Sequence, residues 1–453
     1  MYVKYIFLYF GQKIESMKNI FTFLLITPLL IVSHAKAQFT QKCASHKAMQ
    51  KMEETHPGYL QGTKDLFNEF YANNNSRAIS DTFLNVRVVV HVLYNTPEEN
   101  LPDSVIFNQM SILNNDYGRM NADTVNMRPV FAPIAGVDSR IRFVLADTDP
   151  QGNPTSGITR TSTTKTTFFS LLGGGLAEDV KLSANGGKDP WDQTRYLNIW
   201  ICDMSIPFLG PAILGYAVPP SGLPNWDAGS TDGISDGVVI QYQVFGSNNP
   251  NPLTVGGTTY VIKGRTPVHE VGHYLGLRHI WGDATACAGD DGIDDTPQAT
   301  DASAQDCDAT KNTCTDNIAG IDMPDMIENY MDYSAEDCQN SFTKNQVEFV
   351  RWVIRNFRTD IATVSFTDVK EIANEEIISL APNPANENIN IVSKNGSKII
   401  AVSLYNMAGQ LVLINNCYDV KTSINTTALL EGIYFVELTT PQSTQRAKLV
   451  VTH

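Results

Sequence analysis

Apolar positions change their spacing several times along the chain, and each change predicts an element. Val86-Arg87-Val88-Val89-Val90-His91-Val92-Leu93-Tyr94 is a nearly continuous β-branched run, the pattern of a strand buried on both faces. Over Asp103–Tyr117, Val105, Ile106, Gln109, Ile112 and Leu113 recur at helical spacing. Strand-like runs follow at Ile141–Leu145, Leu197–Cys202 and 237–241, with turn-rich segments between them. Thr266-Pro267 predicts a helix start, the threonine capping free N–H groups and the proline at the first helical position. Gly276 suits the left-handed turn that would stop that helix. Thr343-Lys344-Asn345-Gln346 is a capping box, opening a helix to Arg358 with Val347, Val350, Ile354 and Phe357 on one face. Beyond it come short strands at 389–392, Ile399–Tyr405, 411–414, 433–438 and 447–451, with a turn at 406–410. These elements predict an α/β domain, a mixed twisted sheet plus helices, followed by a small all-β sandwich of about seven strands or fewer.

The rest of the organisation follows from composition. Lys18, the apolar run 20–32 and Ala35-Lys36-Ala37 before Gln38 have the form of a secretory signal peptide over 1–37, with translation starting at Met17. The run is too short to span a membrane, so no membrane anchor is expected. Residues 38–82 are polar, helix-prone and too poor in apolar side chains to form a core of their own, as expected of a propeptide. Arg77 lies near its expected end. The α/β domain over 83–358, a linker over 359–379 and a terminal sandwich over 380–453 complete the division. At 453 residues, 42% hydrophobic and 18% charged, the chain has room for two or three domains. A net charge of −15 argues against nucleic acid as a partner and suits a soluble exported protein or one rich in calcium ligands, though a merely acidic soluble surface explains it equally; a monomer is expected.

Candidate chemistry concentrates in Thr266-Pro267-Val268-His269-Glu270-Val271-Gly272-His273-Tyr274-Leu275-Gly276-Leu277-Arg278-His279-Ile280. His269 and His273, four apart, share one helix face and can hold one ion, and the turn at Gly276 returns His279 to it. Three imidazoles leave a fourth tetrahedral position for water, the arrangement of one catalytic zinc, with Glu270 placed as general base. Cys43 offers a thiolate that could fill that fourth position and keep the enzyme latent; the other reading is an unpaired leader cysteine. Asp290, Asp291, Asp294, Asp295 and Thr296 fall in one turn-rich octet whose oxygens suit structural calcium, or simply a solvated acidic loop. Cys287, Cys307, Cys314 and Cys338 permit three disulfide pairings, and without CxxC spacing they fit a structural zinc poorly. His91 reads as a core histidine. Gly173-Gly174-Gly175 and Asn185-Gly186-Gly187 lack the companions of a phosphate loop. The Gly/Pro-rich stretch 219–236 leads into the strand expected to border a substrate cleft.

The stretch HEVGHYLGLRH resembles the long zinc signature of the metzincin metallopeptidases, and Asn329-Tyr330-Met331-Asp332-Tyr333-Ser334 is similar to their methionine turn. With DDGIDDTP and the cysteine spacing, the segment 86–358 resembles the pappalysin branch, the cytophagalysin and ulilysin type. That resemblance implies a metzincin fold with an active-site cleft and a hydrolase, an exported zinc metalloendopeptidase acting on proteins or peptides. It implies Met331 as the floor beneath the histidines, Tyr333 as a donor to the developing oxyanion, and calcium near the site. It also implies pairing of Cys287 with Cys314 and of Cys307 with Cys338. Asp337, or failing it Glu336, would line the pocket after the cut and favour Arg or Lys there. Pro382-Asn383-Pro384, Tyr405-Asn406-Met407-Ala408-Gly409, Leu430-Glu431-Gly432-Ile433-Tyr434 and Lys448-Leu449-Val450-Val451 resemble the C-terminal sorting domain of the type IX secretion system, whose machinery would be a partner. The alternative from another class is a secreted binding or adhesion protein with a structural or inactive metal site.

Overall fold

The computed structural model describes residues 42–73, 82–172, 174–221, 236–366, 378–394, 396–406, 411–440 and 444–452. The expected signal peptide, Arg77, Gly173, most of the 219–236 stretch, most of the expected linker at 359–379 and residues 407–410 of the expected turn lie outside them. The chain divides into two compact units, residues 1–146 with 157–365, and residues 147–156 with 366–453.

In the first unit, helices α1 (Ser45–Thr55) and α2 (Tyr59–Asn73) precede the central strand β1 (Thr82–Tyr94). Helix α3 (Asp103–Tyr117) follows, then β2 (Ile141–Leu145), β3 (Ile158–Ser162) and β4 (Leu197–Cys202). All three of these strands run parallel to β1, at its residues 84–88, 90–94 and 88–92 respectively. Next come β5 (Gly215–Ala217), β6 (Val238–Gln241), the short helix α4 (Arg265–Tyr274), α5 (Lys344–Asn356) and β7 (Ala362–Phe366). Strand β6 pairs parallel to β4, and β5 pairs antiparallel to β6 and forms the edge of the sheet. The strand at 237–241, expected to border a cleft, is therefore internal, and β5 takes the edge position instead. Gly-Tyr-Ala is too short to carry a period of its own, so the sequence pattern passes over it.

Strand β1 is buried on both faces because each face has a cover. Val86, Val88, Val90 and Val92 pack with Val105, Ile106 and Leu113 of α3, Val268 and Val271 of α4, and Phe349 and Val353 of α5. Leu93 turns the other way, into a cluster with Trp200, Tyr216 and Val239 that also takes in Met49, Met52 and Tyr59 from the N-terminal helices. A segment with too few apolar residues for its own core thus shares one with the body of the unit. His91 stays in the sheet interior, its Nδ1 2.7 Å from Thr159 Oγ1 and its Nε2 3.0 Å from Asn198 Oδ1.

The capping box at α5 forms as the sequence predicts, Thr343 Oγ1 accepting from Gln346 N and the Gln346 side chain accepting from Thr343 N. The helix ends at Asn356. Arg358 leaves it to form a buried ion pair with Asp236 at 2.6 Å. The supposed linker begins too early: β7 falls inside 359–379 and hydrogen-bonds to β1. Disulfides join Cys287 to Cys314 and Cys307 to Cys338, across separations of 27 and 31 residues. Each cross-link of this length contributes about 3–4 kcal/mol through the unfolded chain's lost entropy.

The second unit is an all-β sandwich. Its strands are β8 (Ile378–Ala381), β9 (Asn388–Ser393), β10 (Ile399–Tyr405), β11 (Leu411–Asp419), β12 (Lys421–Asn425), β13 (Gly432–Thr439) and β14 (Thr444–Val451). They form sheets of order β8-β9-β12 and β11-β10-β13-β14. Ile389 and Ile391 of the first sheet meet Val402, Leu404, Val436, Leu438 and Leu449 of the second in one core. Strand β12 escapes the sequence pattern because Lys-Thr-Ser-Ile-Asn carries a single apolar residue, the buried Ile424.

Candidate active site

Every residue of α4 is buried, so its polar side chains need partners inside the protein. Its start differs from the expected one. Gly264, at φ +75°, precedes the helix, and Thr266 supplies no side-chain cap. The cap comes from 70 residues downstream: Glu336 accepts from the N–H groups of Lys263 (2.5 Å), Arg265 (3.2 Å) and Thr266 (2.9 Å), and from Thr266 Oγ1 (2.9 Å). A carboxylate on the free N–H groups of a helix start is favoured by both hydrogen bonding and the helix dipole. Pro267 is the third helical residue, still in the first turn, where its missing N–H leaves no bond unmade. Gly276, at φ +93°, turns the chain as expected.

That turn brings His279 to the other two histidines. His273 Nε2 lies 3.1 Å from His269 Nε2 and 3.1 Å from His279 Nε2. Each opposite nitrogen has a fixed acceptor: His269 Nδ1 donates to Tyr330 O (2.7 Å), His273 Nδ1 to Leu277 O (2.8 Å) and His279 Nδ1 to Asp283 Oδ1 (2.5 Å). With the protons on Nδ1, three Nε2 lone pairs face one another. Such an array is repulsive unless a cation sits between them. Two nitrogens on one tetrahedral zinc lie roughly 3.3 Å apart, close to the spacing seen. Burial also holds His273 down at about 3, and drives His269 well below the usual histidine range, so both imidazoles stay neutral, as metal ligands must.

Cys43 Sγ completes a group with the three histidines in which all ligand atoms lie within 4.8 Å. The fit to a soft-to-borderline divalent metal is good: three imidazole nitrogens and one sulfur. Cys43 arrives because residues 42–45 run alongside β5. Leu214 N donates to Lys42 O and Ala44 N to Gly215 O, both at 3.0 Å. From this added strand, Ser45 Oγ donates to Glu270 Oε2 (2.9 Å), the Cys43 thiol also donates to it (3.3 Å), and Tyr333 Oη donates to Cys43 O (3.0 Å). Burial pushes Glu270 up to about 8 despite those hydrogen bonds and the nearby Lys42, and raises the Cys43 thiol well above its usual range. Glu270 Oε1 is fully buried and has no hydrogen-bond partner. It lies against Gly215, where a Cβ would fall 2.8 Å from Glu270 Cγ, so only glycine fits that position of the edge strand.

Met331 is fully buried and packs against α4: a Cβ on Gly272 would meet its Sδ at 2.5 Å. The Tyr333 ring stands over His279 (4.9 Å) and His269 (5.8 Å). The two acidic candidates separate. Glu336 is committed to capping α4, while Asp337 is half-exposed and 3.3 Å from Lys263 Nζ. Sequence reasoning missed Lys42, whose buried Nζ donates to Ser334 O (2.9 Å) and faces Glu336, Asp332 and Glu270. It also missed Ser45, Trp281 and Asp283, since none carries a periodic or motif signal. In the acidic octet, Asp291 Oδ2, Asp295 Oδ1 and Thr296 Oγ1 are buried without a hydrogen-bond partner. Asp290 caps a turn by accepting from Gly292 N (2.7 Å), and Asp294 is exposed.

Comparison with known proteins agrees with this site. Residues 249–355 match the family model described as pregnancy-associated plasma protein-A, and residues 379–452 match the secretion system C-terminal sorting domain. A promirolysin mutant of Tannerella forsythia is 37% identical, with a TM-score of 0.57 over 71% of this chain and 96% of that one. The chain belongs to the pappalysin-like metallopeptidases. Mature mirolysin of the same organism, solved in complex with a cleaved peptide, is 38% identical over 62% of this chain and 98% of its own, TM-score 0.50. An extracellular metalloprotease of Arthroderma benhamiae is 34% identical over 34% of this chain and 47% of its own length, so the chain spans about half of that curated relative. One from Arthroderma otae is 26% identical over 66% of this chain and 88% of its own. This pappalysin-like chain carries its sorting domain at the C-terminal end, and among the described residues no helix is long and apolar enough to cross a membrane.

Proposed function

We propose that the chain is an exported zinc endopeptidase held latent by its own N-terminal segment. The observation that carries this reading is the convergence of three Nε2 lone pairs and Glu270 beside the sheet edge along which residues 42–45 lie. His269, His273 and His279 would hold the ion. Bound there, zinc would supply a Lewis acid that polarises a carbonyl and acidifies a water. Glu270 takes the proton of the attacking water and returns it to the leaving amine. Tyr333 Oη, which already donates to a main-chain carbonyl at Cys43, would donate to the scissile carbonyl oxygen as charge gathers on it. Strand β5 would hold extended substrate by main-chain hydrogen bonds, as it holds residues 42–45. No covalent intermediate is needed. Cys43 would be the fourth ligand in the latent form, residues 38–82 the propeptide, and the sorting domain the contact with secretion machinery.

The preference for Arg or Lys after the cut is supported by Lys42. A lysine side chain is buried beside the candidate metal site with Asp332 and Glu336 facing it, which is how a basic substrate residue would be received. Asp337, on the same rim, is the carboxylate that can be changed without undoing the α4 cap. A peptide-library digest by the mature enzyme should give cleavage before Arg and Lys, lost with a chelator and restored by zinc. Asp337→Asn should reduce that preference about fivefold, one charge-assisted contact at a half-exposed site. Cleavage that survives chelation would end the zinc reading, and an unchanged profile for Asp337→Asn would leave the preference with Asp332 and Glu336.

Calcium binding by the acidic octet is supported by the buried, unpartnered oxygens of Asp291, Asp295 and Thr296, with main-chain carbonyls and water needed to complete the shell. Calcium at about a hundredfold excess over its Kd should raise the melting temperature by about 4 °C. Asp291→Ala should abolish the shift. No shift in the unmodified protein would make the octet a plain acidic loop.

A further inference from the structure

Of the three histidines, His279 differs in what holds it. His269 and His273 give their Nδ1 protons to neutral main-chain carbonyls, whereas His279 gives its proton to a carboxylate, Asp283 Oδ1, at 2.5 Å. Its other side is a stacked indole, Trp281, with ring centres 4.3 Å apart and planes 7° from parallel. The backbone is bent to make this possible. Gly282 N donates to His279 O (2.8 Å), and Gly282 and Asp283 both take left-handed conformations, φ +64° and +56°. At Gly282 a Cβ would fall 2.4 Å from Asp290 N, so the bend requires glycine. Left-handed backbone at a non-glycine residue costs of order 1 kcal/mol and persists only where the surroundings impose it.

We infer that Asp283 is a positioning residue for the third metal ligand: it fixes the His279 tautomer, aims Nε2 at the ion and strengthens that nitrogen as a donor. A carboxylate behind a ligating imidazole raises its basicity more than a carbonyl does, and such partners set metal affinity. The same carboxylate meets the N-terminal segment, since His46 Nδ1 lies 3.5 Å from Asp283 Oδ2. The inference rests on the zinc reading above.

The test compares the full chain as unmodified protein and as Asp283→Ala, Asp283→Asn, Asp283→Glu and His46→Ala. Zinc affinity is read by competition with a chromophoric chelator, ligand geometry by the visible spectrum of the cobalt(II) forms, and folding by melting of the metal-free proteins. Asp283→Ala and Asp283→Asn should bind zinc about 10–100-fold more weakly with altered cobalt spectra, Asp283→Glu should recover part of the loss, and His46→Ala should stay within about threefold of the unmodified chain. Equal affinity in Asp283→Ala and the unmodified chain would overturn the assignment. So would a loss in His46→Ala as large as in Asp283→Ala, because the carboxylate would then act through packing of the N-terminal segment. An unmodified chain that takes no zinc would instead overturn the zinc reading itself, an outcome distinct from a loss confined to the Asp283 variants.

Discussion

Replacing Glu270 by alanine should lower kcat/KM for peptide hydrolysis by about 10³–10⁴-fold at unchanged zinc content, the range lost when a positioned general acid and base is removed. The geometry gives this residue no substitute. Of the other carboxylates near the site, Glu336 is committed to the start of α4, Asp283 to His279, Asp337 to Lys263, and Asp332 to the N–H groups of Ser303 and Ser334. Only Glu270 sits between the histidine cluster and the edge strand, with one oxygen free of partners. The fold should tolerate the change well. The carboxyl is fully buried and costly to ionise there, so its removal takes away a desolvation penalty as well as two hydrogen bonds. Full activity in Glu270→Ala with zinc bound would mean that another group activates the water, and the role assigned here would be lost. If maturation is self-catalysed, the same variant should also accumulate as the uncut chain.

How much of this was legible in the sequence depends on distance along the chain. The helix Asp103–Tyr117 and the strands Ile141–Leu145 and Leu197–Cys202 have the bounds that their hydrophobic spacing predicts, because each buries a full stripe or run. The histidine triad is legible for the same reason: a four-residue helical spacing and a glycine turn bring three imidazoles together by local geometry alone. What escaped depends on contacts between distant segments. Glu336 caps a helix 70 residues away, and nothing near Thr266 signals it. Lys42 and Ser45 acquire meaning only when residues 42–45 lie along β5, a strand itself too short to detect. Asp283 is near His279 in sequence, yet its approach depends on two left-handed residues that no periodicity describes. The acidic octet was legible as a cluster, but burial divides it: Asp291, Asp295 and Thr296 face inward, while Asp290 closes a turn and Asp294 faces solvent.

The uncut Cys43→Ala chain should mature and hydrolyse peptide about 30-fold faster than the unmodified one. Loss of one central anchor of a buried contact costs about 2 kcal/mol or more, and each 1.4 kcal/mol is a factor of ten in the open population. The gain should stop short of mature activity, because the segment keeps other anchors. Lys42 still donates to Ser334 O, Ser45 to Glu270, and Met49, Met52, Phe67 and Phe70 still fill the core. Phe67 stacks on Phe349 at 4.4 Å and Phe70 meets Trp352 edge-on at 5.7 Å, contacts indifferent to the thiol. Cys43→Ser decides what the sulfur contributes. Serine keeps the shape and can donate to Glu270 but is a poor zinc ligand, so it should release the enzyme as alanine does if latency depends on metal ligation. A Cys43→Ser chain as silent as the unmodified one would transfer the lock to the hydrogen bond on Glu270. A Cys43→Ala chain as slow to mature as the unmodified one would reduce Cys43 to a packed thiol, and latency would then belong to the aromatic helix face and Lys42.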